Sequence, residues 1–235
     1  MTNFKSFFIE SSEINDDQFK LNKKESHHAK NVLRVRTGES LILLDGKGYG
    51  YIAKIKKINN GFVYGKILKK VEKFGENKTL INVVPAVIKR HRFENLIEKA
   101  TELGAKNIIP IITDRCMKKT INISRCEKLI ISAAKQCNRS VFPSISEPLK
   151  LKEWLKINKG QCFAGSMKSH KKLSEYTVKK SKTINIIIGP EGDFNKKEMN
   201  IMNNSGVKFY NLGIRKLRAE TAMHASLSIL NELYG

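Results

Sequence analysis

The sequence predicts an α/β protein: a carboxy-terminal part built on a parallel sheet with flanking helices, preceded by a small β-rich module. Three observations predict it. Residues 80 to 112 run apolar strand, amphipathic helix, glycine, apolar strand, the form of a βαβ unit with a right-handed crossover. Two apolar strands near the carboxyl end each run into a glycine-bearing loop. Residues 40 to 71 hold three β-type runs separated by turn residues, a hairpin signal. With 235 residues, 40% of them hydrophobic, the chain can form one large domain or two small ones with a real core.

The elements follow in order. Phe4, Phe7, Phe8 and Ile9 predict a first strand, and Ser26 to Arg36 a helix with Ala29, Val32 and Leu33 on one side. Ser40–Leu44, Tyr49–Ile58 and Phe62–Val71 predict a small antiparallel sheet or barrel. Its outward lysines, Lys54, Lys56, Lys57, Lys66, Lys69 and Lys70, suit a phosphate backbone or merely wet the sheet. The polar stretch 73–78, with Gly75 inside, marks a linker between residues 1–72 and 79–235. Leu80–Ile88 predicts a strand, Arg90–Leu103 a helix stopped by Gly104, and Asn107–Ile112 another strand. Ser124 with Glu127 predicts a capping box opening a helix to Cys137, with Asn138 and Arg139 capping its end or touching a ligand. Leu151–Ile157 is a short helix carrying Trp154, Gln161–Ala164 a strand, and Lys168–Lys182 a lysine-rich connection with a short helix inside. Thr183–Ile188 and Val207–Leu212 are strands, and an amphipathic helix with Met223, Leu227 and Leu230 in its stripe closes the chain.

The formal charge of +22 and sequence pI near 9.9 point to a polyanionic partner, RNA or DNA. Part of that charge reflects a chain-wide excess of Lys, Asn and Ile. No apolar run approaches the ~20 residues that span a bilayer, and no apolar leader stands at the amino terminus, so a cytosolic protein is expected. The four cysteines form no C-x-x-C pair, and His27 and His28, adjacent on a helix, diverge by about 100°. No metal is expected.

In open parallel sheets, ligands bind outside the carboxyl ends of strands. Three such ends stand out: Gly165-Ser166-Met167, Gly189-Pro190-Glu191-Gly192, and Gly213 to Glu220. None carries a dinucleotide fingerprint or a P-loop. The glycines let backbone approach a ligand, while Arg215, Lys216, Arg218 and Glu220 place charge beside it. Taken alone, Gly-Pro-Glu-Gly is equally ordinary turn chemistry.

Ile187-Ile188-Gly189-Pro190-Glu191-Gly192-Asp193-Phe194, followed by Asn211-Leu212-Gly213-Ile214-Arg215-Lys216-Leu217-Arg218-Ala219-Glu220-Thr221-Ala222, resembles the motif pair of the RsmE family, ribosomal RNA methyltransferases that make N3-methyluridine in the small subunit. Glu98 to Ala105, Asp114-Arg115-Cys116, Ala133 to Arg139, and His28 to Arg36 with Asp45-Gly46 are similar to that family in the same order, so the resemblance spans nearly the whole chain. It implies an amino-terminal PUA-like β-barrel, a carboxy-terminal SPOUT domain with a trefoil knot, S-adenosylmethionine as methyl donor, a homodimer, and 16S ribosomal RNA of the small subunit as substrate. The chain departs from the family's pattern at Ser6, where an arginine is usual, at Asp193, where Gly is usual, and across Lys89 to Phe93.

The site residues expected from loop position and resemblance are Met167, Gly189, Pro190, Glu191, Gly192, Leu212, Gly213 and Leu217 for the cofactor. Lys89, Arg90, Arg92, Arg115 and Arg139 are expected on RNA phosphate. Methylating uridine N3 requires removal of the imide proton, so Arg218 is expected to steady charge on the base oxygens and Glu220 to orient Arg218 or accept the proton. A structural ion pair between Arg218 and Glu220 is the alternative. Methylation of a ribose 2′-hydroxyl, or a non-catalytic RNA-binding or assembly role, are the competing functions.

Overall fold

The computed structural model of the chain describes residues 4–178 and 183–235. Two compact units emerge: the chain through Glu76 together with Ile131–Phe142, and Asn77–Ile130 together with Pro143–Gly235. The last four residues of the expected Lys168–Lys182 connection lie outside the described residues; Leu173–Glu175 within it form a single 3-10 turn.

In the first unit, β1 (Lys5–Phe8), β2 (Ile14–Asn15), β3 (Gln18–Lys20), β4 (Ser40–Leu44), β5 (Tyr49–Asn59) and β6 (Phe62–Glu72) make one sheet in the order β1-β4-β5-β6-β3-β2. The three runs expected to pair antiparallel do so, β4 with β5 and β5 with β6, and β1 joins the edge parallel to β4, Lys5 opposite Leu41. A long connection separates those two strands, so no hairpin constrains their direction. The core is Phe7, Phe19, Leu21, Leu41, Leu43, Ile55 and Val63. Lys54 and Lys56 alternate with buried Ala53 and Ile55; a register irregularity between Ile55 and Lys57 then puts a second lysine outward in succession.

The expected helix at 26–36 is corrected. It starts earlier, as α1 (Lys23–His27) capped by Asn22, and widens into a π-helical turn over His28–Val32 in which Leu33 N–H donates to the His28 carbonyl at 3.0 Å. The wider turn rotates the face, so Ala29 is buried while Val32 is 60% exposed. Glu25 is buried there and receives Lys135 Nζ at 2.8 Å.

Two residues expected in unrelated places meet in this unit. Glu76, from the stretch read as linker, accepts Arg139 Nη2 at 2.8 Å and the Val141 N–H at 2.9 Å. Their side chains are 11% and 4% exposed. Gly75 beside it has φ +70°, and a Cβ there would strike the Asn138 carbonyl, so only glycine fits. Glu76→Ala removes the carboxylate that holds both the buried Arg139 guanidinium and the Val141 N–H, and should lower stability by about 3 kcal/mol. Urea unfolding checks this; a loss below about 1 kcal/mol would show that Arg139 finds other compensation.

The second unit is a six-stranded parallel sheet in the order β10-β8-β7-β13-β12-β14, from β7 (Ile81–Pro85), β8 (Asn107–Ile108), β10 (Ser144–Ile145), β12 (Gln161–Gly165), β13 (Ile184–Ile188) and β14 (Lys208–Tyr210). Every residue of β7 and β13 is buried, as strands covered on both faces require. The expected strand at 107–112 is split by Pro110, which has no N–H for a ladder. Its second piece, β9 (Ile111–Ile112), pairs instead with β11 (Leu149–Lys150).

Across the sheet's interior runs an amide ladder. Asn82 Nδ2 donates to Asn185 Oδ1 at 2.9 Å, Asn107 Nδ2 to Asn82 Oδ1 at 2.8 Å, and Ser144 Oγ to Asn107 Oδ1 at 2.7 Å. All are register partners on adjacent strands, so a slip in register would leave buried amides unpaired.

Helices α2 (Arg90–Glu102), α3 (Ile123–Cys137), α4 (Leu151–Ile157) and α6 (Ala219–Tyr234) follow their predicted positions, and α5 (Lys196–Asn204) lies between β13 and β14. Gly104, φ +87°, ends α2 as its sequence position predicts. The cap of α3 is Asn122, whose Oδ1 accepts the Arg125 N–H at 2.9 Å, not the expected Ser124 box. Met223, Leu227 and Leu230 are buried in their own unit, so the apolar stripe of α6 is already covered.

Candidate active site

The carboxyl ends of β12, β13 and β14 lie side by side, because β12 pairs with both of the others: Ala164 with Ile187 on one side, Gly165 with Tyr210 on the other. Three loops therefore leave the sheet at one place. Between them is a cavity of about 300 Å³. Its wall includes Gly165, Ser166 and Met167 from the first loop and Gly189, Pro190 and Glu191 from the second. Leu212, Arg215, Lys216, Leu217 and Arg218 come from the third.

Asn211 fastens the third loop to the first. Its Nδ2 donates to the Ser169 carbonyl at 3.1 Å, and its Oδ1 accepts the Gly213 N–H at 2.6 Å. Gly213 itself has φ +121°, a conformation that side chains resist. The cavity floor is Tyr210, fully buried, whose hydroxyl pairs with Ser226 Oγ at 2.6 Å. Burial pushes that phenol well above its ordinary pKa, so it stays protonated. After the second loop, Asp193 sits at φ +64°, its carboxylate accepting the Phe194 N–H at 2.8 Å. A left-handed residue at this position explains why glycine suits it equally. Asn195 and Glu198 then form the capping box that starts α5.

Of the expected cofactor residues, Met167, Gly189, Pro190, Glu191, Leu212 and Leu217 line the cavity. Gly192 and Gly213 are not among its lining residues. Gly192 offers its carbonyl to Arg115 Nη1 at 2.5 Å, and an ideal Cβ on Gly213 would meet nothing within 4 Å. Arg218 lines the cavity, exposed, at the N-cap of α6; its carbonyl accepts the Ala222 N–H at 2.8 Å, while its side chain makes no hydrogen bond or ion pair with a described residue.

Glu220 does not pair with Arg218. Both of its oxygens are taken by Arg92: Nε at 3.0 Å to each, and Nη2 at 2.7 Å to Oε2. Arg92 Nη1 also reaches Glu191 Oε1 at 3.1 Å. These side chains are shielded, Arg92 16% and Glu220 13% exposed. Burial alone would raise the Glu220 pKa, but the Arg92 hydrogen bonds and the nearby Arg218 charge outweigh it and hold the carboxyl below its ordinary value. The Glu220 hydrogen bond in turn raises Arg92.

The residues expected on RNA phosphate thus separate. Lys89 and Arg90 are exposed at the start of α2, with Arg90 Nε on Glu94 at 2.8 Å. Arg115 is exposed beside the Gly192 carbonyl. Arg92 lies in the cavity wall, and Arg139 is buried on Glu76 in the other unit. Ser166, Asp193 and Tyr210 also line the cavity without having been singled out for it. Their position at the ends of predicted strands was the available signal; a charge pattern pointing to the Arg92 pairing was not, since its partners lie 99 and 128 residues away.

Residues 75–231 match the model of an RNA methyltransferase domain, and residues 21–68 that of the RNA methyltransferase PUA domain. The chain is 31% identical to a ribosomal RNA small subunit methyltransferase E of Buchnera aphidicola from Acyrthosiphon pisum, over 92% of this chain and 88% of that protein. It is 30% identical to the protein of the same name from Rickettsia conorii, over 83% and 82%. Among solved structures it is similar to the ribosomal RNA small subunit methyltransferase E of Neisseria gonorrhoeae bound to S-adenosyl methionine. The TM-score is 0.90 at 26% identity, covering 99% of each chain. A Legionella pneumophila protein solved with the same cofactor gives a TM-score of 0.87 at 28% identity, over 99% and 98%.

Proposed function

The chain belongs to the RsmE family of small-subunit ribosomal RNA methyltransferases, and from that premise we propose that it methylates N3 of a uridine in 16S ribosomal RNA. It is an S-adenosylmethionine-dependent enzyme. The observation that carries the assignment is the cavity where three strand ends converge, lined by both family motifs in a chain that superposes over its whole length on a cofactor-bound relative. The cavity fits the cofactor. Its volume is at the lower end for small-molecule sites, it mixes apolar Met167, Leu212 and Leu217 with backbone at Gly165 and Gly189, and Glu191 supplies a carboxylate.

When bound, S-adenosylmethionine supplies an electrophilic methyl group on a sulfonium. Met167, the Gly189–Glu191 turn, Leu212 and Leu217 hold the donor and exclude water, with Gly192 and Gly213 shaping the two loops. The target base must leave its pair to present N3. Loss of the imide proton puts negative charge on the base oxygens, and Arg218, at the cavity with its donors uncommitted, steadies that charge. Its position at the N-terminus of α6 adds the positive end of the helix dipole. Glu220, paired to Arg92, keeps the start of that helix in place.

The RNA reaches this site across a basic surface, with Lys89, Arg90 and Arg115 as phosphate contacts. The module over residues 1–72 contributes as the PUA domain, residues 79–235 carry the transfer, and 73–78 join them. Binding to small-subunit RNA should therefore weaken at least tenfold between 50 and 200 mM salt. Filter binding across that range checks it, and a flat response would remove the phosphate contacts. We assign the trefoil knot to the passage of residues 207–218 past the 166–172 loop. The strand order β13-β12-β14 and the Asn211 bonds support it. Ile214, 90% exposed beside the cavity, supports a second copy packing there as a homodimer. No described helix is long and apolar enough to cross a membrane; the cytoplasm, where ribosomal RNA is found, is the proposed location. Mass spectrometry of 16S RNA from cells lacking the gene should show one N3-methyluridine lost and restored by complementation. Loss of a ribose-methylated nucleotide instead would overturn the assignment.

A further inference from the structure

We infer that Arg92 is a positioning residue for methyl transfer, joining the start of α2 to the second cavity loop and to the first turn of α6, and that it is not a phosphate contact. A cation in the first turn of α2 opposes the helix dipole, and burying it would be costly without partners. Two carboxylates from distant parts of the chain offset that cost. Three of its five N–H groups are spent on them: Nε and Nη2 on Glu220, Nη1 on Glu191. Fork geometry of this kind fixes direction as well as distance, which an ammonium does not.

Each contact has a consequence at the cavity. Glu220 is the second residue of α6 and Arg218 is its N-cap, so the bidentate pair sets where Arg218 stands. With both oxygens engaged and its pKa held down, Glu220 is an ionised counterion and a poor acceptor for a substrate proton. Glu191 is held by one oxygen only. Its Oε1 takes Arg92 and, at 3.4 Å, the Lys89 N–H, while Oε2 has no hydrogen bond to a described residue. Arg92 thus fixes a carboxylate at the cavity wall with one oxygen free to accept from the bound donor or base.

This inference rests on the methyltransferase function above. The test compares Arg92→Gln, Arg92→Lys, Glu220→Gln and the Arg92→Gln/Glu220→Gln double variant in the full chain. It measures kcat, KM for RNA, calorimetric affinity for S-adenosylhomocysteine, and Tm. Arg92→Gln should lower kcat about 100-fold, as a displacement near 1 Å does, while S-adenosylhomocysteine affinity changes less than about tenfold. Arg92→Lys should fall between, and the double variant should be no worse than Arg92→Gln, because the two residues act as one unit. If Arg92→Gln is unfolded at the assay temperature, Arg92→Lys decides: wild-type kcat in it overturns the inference. So does a raised KM for RNA with kcat kept and a shallower salt dependence, the signature of a phosphate contact. A wild-type chain that methylates a different atom would sink the uridine N3 assignment alone, since the Arg92 comparison applies to whatever transfer it performs.

Discussion

Replacing Arg218 by Ala is expected to reduce kcat for methyl transfer by about 10²- to 10³-fold, the usual cost of removing one donor aimed at developing charge. The Arg218 side chain is exposed at the cavity and carries no hydrogen bond or ion pair to a described residue, so its truncation removes no hydrogen bond from the fold. Tm should therefore stay close to wild type. Calorimetric affinity for S-adenosylhomocysteine should stay within a few-fold, because binding is spread over backbone and apolar wall. Arg218→Lys should recover only part of the loss, as a point charge replaces a planar fork. Full activity in the alanine variant would remove Arg218 from the chemistry. Loss of S-adenosylhomocysteine binding equal to the loss of kcat would move it to cofactor binding.

Gly165→Val is expected to abolish cofactor binding while sparing the fold. Gly165 ends β12 and lines the cavity; the nearest atoms to an ideal Cβ there would be the Tyr210 hydroxyl and ring carbons, at 3.7 to 3.9 Å, which is ordinary contact. Its φ is not in the left-handed region, and valine suits a strand end, so backbone strain is small. The branched side chain then occupies cavity volume that the cofactor needs. S-adenosylhomocysteine affinity should fall more than about 100-fold with Tm of the free protein nearly unchanged, since the added methyls exclude ligand atoms that have nowhere else to go. Gly189→Val is the poorer probe, because a Cβ there already presses the Phe194 ring at 3.1 Å and confounds binding with packing. Near-wild-type affinity in Gly165→Val would place the cofactor elsewhere.

The loops around the cavity were legible because glycine after an apolar strand is a local signal. Ile187 to Gly192 and Asn211 to Gly213 announce strand ends, and parallel sheets bind ligands there. The charges were legible only as charges. Arg92 and Arg139 read alike as basic residues near turns, yet one closes a cavity wall on Glu191 and Glu220 and the other is buried on Glu76. Glu76 read as linker because polarity without periodicity looks the same whether a residue is solvated or paired inside. Val32 falls on the apolar side of a helix of period 3.6, but a π-helical turn breaks that period without any mark in composition.

The sequence by itself determined the two-part division of strand types, the positions of nearly all helices, and the three glycine-bearing loops, since each depends on propensity and spacing within a short window. Tertiary structure alone decided the parallel β1, the asparagine ladder across β8, β7 and β13, and the partners of Glu25, Arg92 and Arg139. Those depend on which residues, from 25 to 128 positions apart, share a dry space. Charge pairing is strong there and an unpaired group is costly, so the fold, not the local sequence, selects which carboxylate each arginine meets.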